Sequence, residues 1–455
     1  MSEESSNKLN TRNLTTGSMV GKIITFAIPL AVIGILQQLF NAADVAVVGQ
    51  YVGKDAMAAV GANSSIINLV VNLFVGISIG SNVVIANSVG KKDRQRAQDA
   101  AKSSIVIALI GGVAVAVIGE LLAASIVRSM NVPDSIFPMA LLYLRIYFAG
   151  MPVILLYNFE AAIFRGLSDS RTPLIVLTLS GILNVCLNFL FVYYAHMGVE
   201  GVAIATVVSN LTSSVLLLLK LLGHDSPIDL RAGVVSTKVV NKILILGIPA
   251  GVQSGIFSVA NVIIQTAING LGPDVMAASS AAYNIEIFVY YILNSFAQTC
   301  TTFVGQNYGA GKIDRCRRAL ITCIIINYVV TGTVVALVLI FGNQLLGIFN
   351  KDAEVIAIGY IRLIYIFMSY IFTLPEAVIA SYLNGYGKTL PPAALSVIGI
   401  CATRLVWIFY VFPRHRSFDV IMMAYPISMV VTLALMIGAL IVIRPGIQAQ
   451  KRLSS

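Results

Sequence analysis

Residues 22–60 read KIITFAIPLAVIGILQQLFNAADVAVVGQYVGKDAMAAV, and residues 242–278 read KILILGIPAGVQSGIFSVANVIIQTAINGLGPDVMAA. Each stretch starts at a lysine, runs apolar through a single proline (Pro29, Pro249) and reaches a glycine-containing turn before an Asp-x-Met-Ala-Ala sequence. Outward from these stretches, Gly90-Lys91-Lys92-Asp93-Arg94 recurs as Gly311-Lys312-Ile313-Asp314-Arg315. Tyr143-Leu144-Arg145-Ile146 recurs as Tyr360-Ile361-Arg362-Leu363, and Phe159-Glu160-Ala161-Ala162 as Pro375-Glu376-Ala377-Val378. Every pair is separated by 216 to 221 residues, so one long unit is present twice. Two related hydrophobic halves are the plan of many secondary transporters, with the substrate path between them.

With 58% apolar and 11% charged residues, the chain has too little polar surface for a water-soluble globule. A polytopic, all-helical membrane protein is expected. Splitting the apolar runs at charged or Gly/Pro-rich breaks gives spans at 22–50, 57–87, 103–127, 136–164, 172–195, 199–222, 241–269, 275–305, 319–346, 354–383, 389–413 and 418–443, six in each half. The net charge of +10 sits mainly in short loops, where membrane orientation explains it and nucleic-acid binding does not. Most Lys and Arg fall on one side if both termini are cytoplasmic, as in Lys91, Lys92, Arg94, Arg96 and Lys102 and the repeat of that loop; Arg414-His415-Arg416 is a local exception. No removable signal peptide is read, and the five cysteines have neither disulfide nor zinc spacing.

The expected layout is a cytoplasmic tail (1–21), an N-lobe (22–223), a cytoplasmic connection (224–240), a C-lobe (241–443) and a second cytoplasmic tail (444–455). An even number of spans per half makes the repeat parallel, its pseudo-symmetry axis along the membrane normal. Two such lobes joined by one inside loop suit a rocking-bundle exchange of access.

Charges within spans carry the functional information, because a carboxylate in hydrocarbon costs several kcal/mol unless paired, protonated or ion-bound. Asp44 lies in the outer half of the first span, followed by Val45-Ala46-Val47-Val48. Asn184 and Asn188, spaced i, i+4, share one face of the fifth helix, and Thr206 on the sixth reaches a similar depth. With Asn41 beside Asp44, these residues form a candidate cation or proton site of hard oxygen ligands. In the second half Gln253, Asn261, Glu286 and Glu376 are candidate substrate-cavity residues, while Glu160 is expected to partner Arg165 at the inner interface. Helix-to-helix hydrogen bonding is the competing reading for each of the amides. Pro29 and Pro249 are expected to bend their helices.

Phe40-Asn41-Ala42-Ala43-Asp44, Val48-Gly49-Gln50-Tyr51-Val52-Gly53, Phe164-Arg165-Gly166, Ile182-Leu183-Asn184, Gly198-Val199-Glu200-Gly201 through Thr206, and Gln306-Asn307-Tyr308-Gly309-Ala310-Gly311 together resemble the multidrug and toxic compound extrusion (MATE) family. The resemblance spans essentially the whole chain and is nearest to a bacterial branch. It implies a V-shaped, two-lobed, twelve-helix exporter in the bacterial inner membrane, exchanging organic cations or other drugs for Na+ or H+. It also implies an N-lobe ion site at Asp44 with Asn184, Asn188 and Thr206. Two departures stand out: related members often have a second acid where this chain has Asn188, and a tyrosine where it has Phe40. A glutamate that another branch uses on the seventh helix is absent, Gln253 lying nearby instead.

The resulting expectation is a monomeric, non-enzymatic antiporter in the lipid bilayer, acting on drug-like small molecules. It needs no cofactor and no metal centre other than Na+ at Asp44. The alternatives are a flippase of lipid-linked precursors, disfavoured because only Arg145, Arg362 and Arg404 lie near the spans, and an exporter of an endogenous metabolite on the same scaffold. No span contains His, and no nucleophile–base pair or phosphate loop points to catalysis.

Overall fold

A computed structural model describes residues 13–130, 132–223 and 226–454. The expected first tail lies mostly outside these residues, as do the first two residues of the 224–240 connection. Every regular element among the described residues is helical. In chain order the long helices are α1 (Met19–Tyr51), α2 (Lys54–Gly90), α3 (Arg94–Ser129), α4 (Phe137–Gly166), α5 (Arg171–Asn188, continued by a π-helical stretch Phe189–Tyr194) and α6 (Val199–Leu222). The second series is α7 (Thr237–Asn269), α8 (Pro273–Gly309), α9 (Ile313–Ile340), α10 (Ala353–Gly385), α11 (Leu390–Arg414) and α12 (Phe418–Ile443).

Each span expected from the sequence coincides with one of these helices. Eleven are long and apolar enough to cross a bilayer; α8 has the length but is interrupted by Ser279, Asn284, Glu286, Asn294 and Gln298. The chain is thus a multi-pass membrane protein with a twelve-helix, twofold-repeated plan. Several helices overshoot their apolar runs. At 37 residues α2 and α8 are about 55 Å long, against ~30 Å of hydrocarbon. Hydrogen bonding along the helix continues past the hydrocarbon edge, which hydropathy alone does not register. Apolar side chains point outward as well as inward: on α3, Ile110, Val117, Ile118 and Leu121 are all exposed, as a face turned to lipid requires.

Packing divides the chain into two units, one holding Val32–Gly251, the other Leu14–Ala31 with the residues from Val252 onward. Both changes of unit fall two residues beyond a proline, Pro29 in α1 and Pro249 in α7. In the first unit the stretch before α7 is pinned down. Ile228 and Leu230 are buried, Lys102 Nζ donates to the Gly233 carbonyl (2.8 Å), and the Val234 N–H donates to Asp99 Oδ1 (2.8 Å). In the second unit the stretch before α1 is held likewise, the carbonyls of Leu14 and Thr15 accepting from Arg315 and Lys312.

Within the first unit, α2 and the start of α7 cross backbone to backbone through two glycine pairs. A Cβ built on Gly76 would stand 2.5 Å from Gly251 Cα, and one on Gly80 2.2 Å from the Ile243 carbonyl oxygen. One on Gly247 would stand 2.2 Å from the Ile77 carbonyl oxygen. Gly76/Gly80 and Gly247/Gly251 are therefore two small-xxx-small faces set against each other, where lipid offers no hydrophobic drive and close backbone contact supplies the attraction. Replacing Gly247 with Val is expected to cost about 1–3 kcal/mol by forcing the helices apart. Thermal melting of purified protein checks this: Gly247→Val should melt several degrees lower, whereas Gly332→Ala, with nothing within 4 Å of the added methyl, should not.

Candidate functional site

Asp44 stands in the later half of α1 and is 7% exposed. The four-residue spacing stacks Asn184 and Asn188 toward it from the last turn and a half of α5, immediately before the wider π turns begin at Phe189. The Asn188 amide donates to Asp44 Oδ1 (2.5 Å) and to Asn184 Oδ1 (3.3 Å). Thr206 on α6 donates to Asp44 Oδ2 (3.0 Å), sharing its single proton with the Val202 carbonyl (3.0 Å), and accepts from the Asn184 amide (3.4 Å).

Three helices thus close a ring of one carboxylate, two amides and one hydroxyl. No lysine or arginine pairs with Asp44 among the described residues. Asn188 Oδ1 is buried with no donor, an acceptor left open beside the carboxylate. Neutral donors stabilise a buried carboxylate only partly, so the site is suited to take a proton or a cation.

Asn41, one turn before Asp44, is exposed and has no hydrogen bond to the ring among the described residues. Two residues that sequence reasoning missed stand within Coulombic reach of Asp44: Tyr143 and Tyr147 of α4, with ring centroids 5.7 Å apart. Their i, i+4 spacing was a readable signal, but nothing in the sequence relates α4 to α1. Phe40, which lacks the hydroxyl a tyrosine would bring, lies against Gly181 of α5.

The second-unit candidates do not form one site. Gln253 is half-buried and Asn261 exposed on α7. Glu286 is bound in an ion pair: its Oε2 accepts from Arg362 Nε (3.0 Å) and stands 3.0 Å from Nη2, and Arg362 Nη1 donates to Ser279 (2.7 Å). Glu376 is buried elsewhere on α10 and accepts from Ser396 of α11 (3.0 Å).

Glu160 corrects an expectation. It is fully buried with Ser214 beside it, and no ion pair joins it to Arg165 among the described residues. A five-residue spacing turns two side chains about 140° apart on a helix of 3.6 residues per turn. Among the described residues of the first unit, Arg145 pairs with Glu120 (3.0 Å), each about half exposed.

The MatE family profile matches residues 29–190 and again 249–409, once per repeat. The chain is 25% identical over 447 residues to "Probable multidrug resistance protein YoeA" of Bacillus subtilis, covering 96% of each chain. It is 27% identical over 390 residues to "Probable multidrug resistance protein NorM" of Thermotoga maritima, covering 84% of each. Its fold superposes on a crystal structure of MATE in the bent conformation with a TM-score of 0.87 at 22% identity over 100% of both chains.

Proposed function

The chain belongs to the MatE family, and from that premise we propose that it is a secondary active multidrug efflux antiporter, exporting amphipathic drug-like compounds, organic cations among them, in exchange for H+ or Na+. The Asp44 ring is the coupling site. One observation carries this assignment: a buried carboxylate within a helix long and apolar enough to span a membrane, without a cationic partner among the described residues, bonded to neutral donors and close to the open Asn188 oxygen.

For a proton, the neutral carboxyl donates where it now accepts. For Na+, the Asn188 amide turns its oxygen toward the ion alongside Asp44, Asn184 Oδ1 and Thr206. Either ligand removes the buried charge and so favours a different packing of α1 against α5 and α6 from that favoured by bound drug. Two ligands that prefer different states are coupled without touching. The setting is the bacterial inner membrane with both termini cytoplasmic, the protein working as a monomer of two six-helix lobes, with Gln253, Asn261 and Glu376 near the drug path.

Dye efflux from proteoliposomes, under an imposed pH gradient or an imposed sodium gradient alone, tests the reading. One gradient should drive export well above that of liposomes without protein. Export driven by neither gradient overturns the antiport assignment.

A further inference from the structure

The second unit holds two arginines at hydrocarbon depth and one carboxylate close to them. Apart from Glu286 and Glu376, the acids from residue 252 onward (Asp274, Asp314, Asp352, Glu354, Asp419) cap a helix or lie in its first turn. Glu286 is engaged by Arg362 through two nitrogens. Glu376 lies about 21 Å further along α10 at ~1.5 Å per residue and is bonded to Ser396.

Arg404 of α11 has no acid of its own among the described residues. It is 6% exposed, and no carboxylate lies within ion-pair distance among the described residues. Its Nε donates to Ser428 of α12 (3.0 Å), and its guanidinium carbon sits 4.3 Å from the Tyr425 ring centroid. The two Nη groups meet no acceptor among the described residues. Counting from the helix ends on one face, Arg362 lies about 14 Å into α10 and Arg404 about 15 Å into α11, so both occupy one level. Glu286 and Arg362 are within Coulombic reach of Arg404, so this cluster carries one excess positive charge.

A hydroxyl and an aromatic face offset only part of the cost of a guanidinium in hydrocarbon, and the unused Nη edge has the geometry that grips carboxylate or phosphate through two parallel bonds. On the corresponding helices of the first unit, α5 and α6, the neutral Asn184, Asn188 and Thr206 are gathered around an acid, the opposite polarity.

Resting on the exporter reading above, we infer that Arg404, backed by the Arg362–Glu286 pair and floored by Tyr425, is an oxyanion-binding subsite that takes the carboxylate or phosphate of a transported aromatic amphiphile. Glu286 keeps Arg362 fixed and leaves the free guanidinium edge to the ligand. Cargo recognised here carries an anionic group as well as an apolar ring.

The test uses full-length protein in phosphatidylcholine nanodiscs and two matched probe pairs: a rhodamine free acid with its methyl ester, and a coumarin phosphate monoester with its methyl ether. Fluorescence anisotropy should show each anionic member bound at least roughly tenfold more tightly than its neutralised partner, as a charge-assisted pair predicts. Arg404→Gln should erase that preference by weakening the anionic probes alone, and Arg404→Lys should keep part of it.

Equal affinity within both pairs for the native protein, or equal loss of both members in Arg404→Gln, overturns the subsite. The native comparison needs no variant and stands even if Arg404→Gln fails to fold. Preference for only one anionic probe narrows the oxyanion to carboxylate or to phosphate. Anionic-probe binding that vanishes when phosphatidylglycerol is added assigns the pocket to lipid headgroups and overturns the cargo role. If the rhodamine ester is exported in the proteoliposome assay above but no Arg404-dependent preference exists, the subsite fails alone; if no probe is bound in nanodiscs or exported from proteoliposomes, the exporter reading fails with it.

Discussion

Purified Asp44→Asn protein in liposomes is expected to export no drug under either a pH or a sodium gradient, while eluting and melting much like the native protein. The side chains are nearly the same shape, and the asparagine oxygen still accepts from Asn188 or Thr206. Its NH2 group then faces donors, a mismatch worth about 1–3 kcal/mol, but a buried charge disappears at the same time and offsets much of that loss. What the variant lacks is a group able to gain and lose a proton or neutralise Na+. Coupling free energies between two ligands run to about 1–3 kcal/mol, or roughly 5- to 150-fold in affinity, and all of it should vanish with the charge. Gradient-driven efflux at the native rate from Asp44→Asn liposomes would remove the ring from the mechanism.

Arg362→Met should have the largest effect on stability. Glu286 has a side chain only 13% exposed, and Arg362 is both its hydrogen-bond donor and its ion-pair partner. Breaking a buried pair from one side typically costs about 3–5 kcal/mol, because the remaining charge has no partner. The variant should melt well below the native protein or be lost as aggregate on size exclusion, and Arg362→Met with Glu286→Met should recover most of the loss. A single variant that melts like the native protein would mean that Glu286 is adequately satisfied without the arginine.

Spans were legible in the sequence because a crossing helix must satisfy its own backbone within hydrocarbon and so needs a continuous run of about 20 apolar residues. The repeat was legible for a related reason, since Pro29/Pro249 and the Gly90 and Gly311 loops keep their spacing. Counting rise per residue placed Asp44, Asn184, Asn188 and Thr206 at one depth, and a shared depth plus a shared helix face is nearly a shared place. Lateral position was beyond reach. Nothing in the chain tells which helices neighbour each other, so Tyr143 and Tyr147 were not linked to Asp44, nor Arg362 to a glutamate 76 residues away. Glu160 was misplaced because nearness in sequence was taken for nearness in space. The π-helical turns after Asn188 and on both sides of Arg404 leave no local signature either, for their residues are as apolar as those of any neighbouring turn.

The four-glycine crossing of α2 and α7 restricts how this protein can change over generations. Each of its positions is defined by the absence of a side chain, so there is no graded series of substitutions by which selection can adjust it. A shift in binding preference is therefore to be sought in other side chains, because any residue larger than glycine at Gly76, Gly80, Gly247 or Gly251 would collide with backbone.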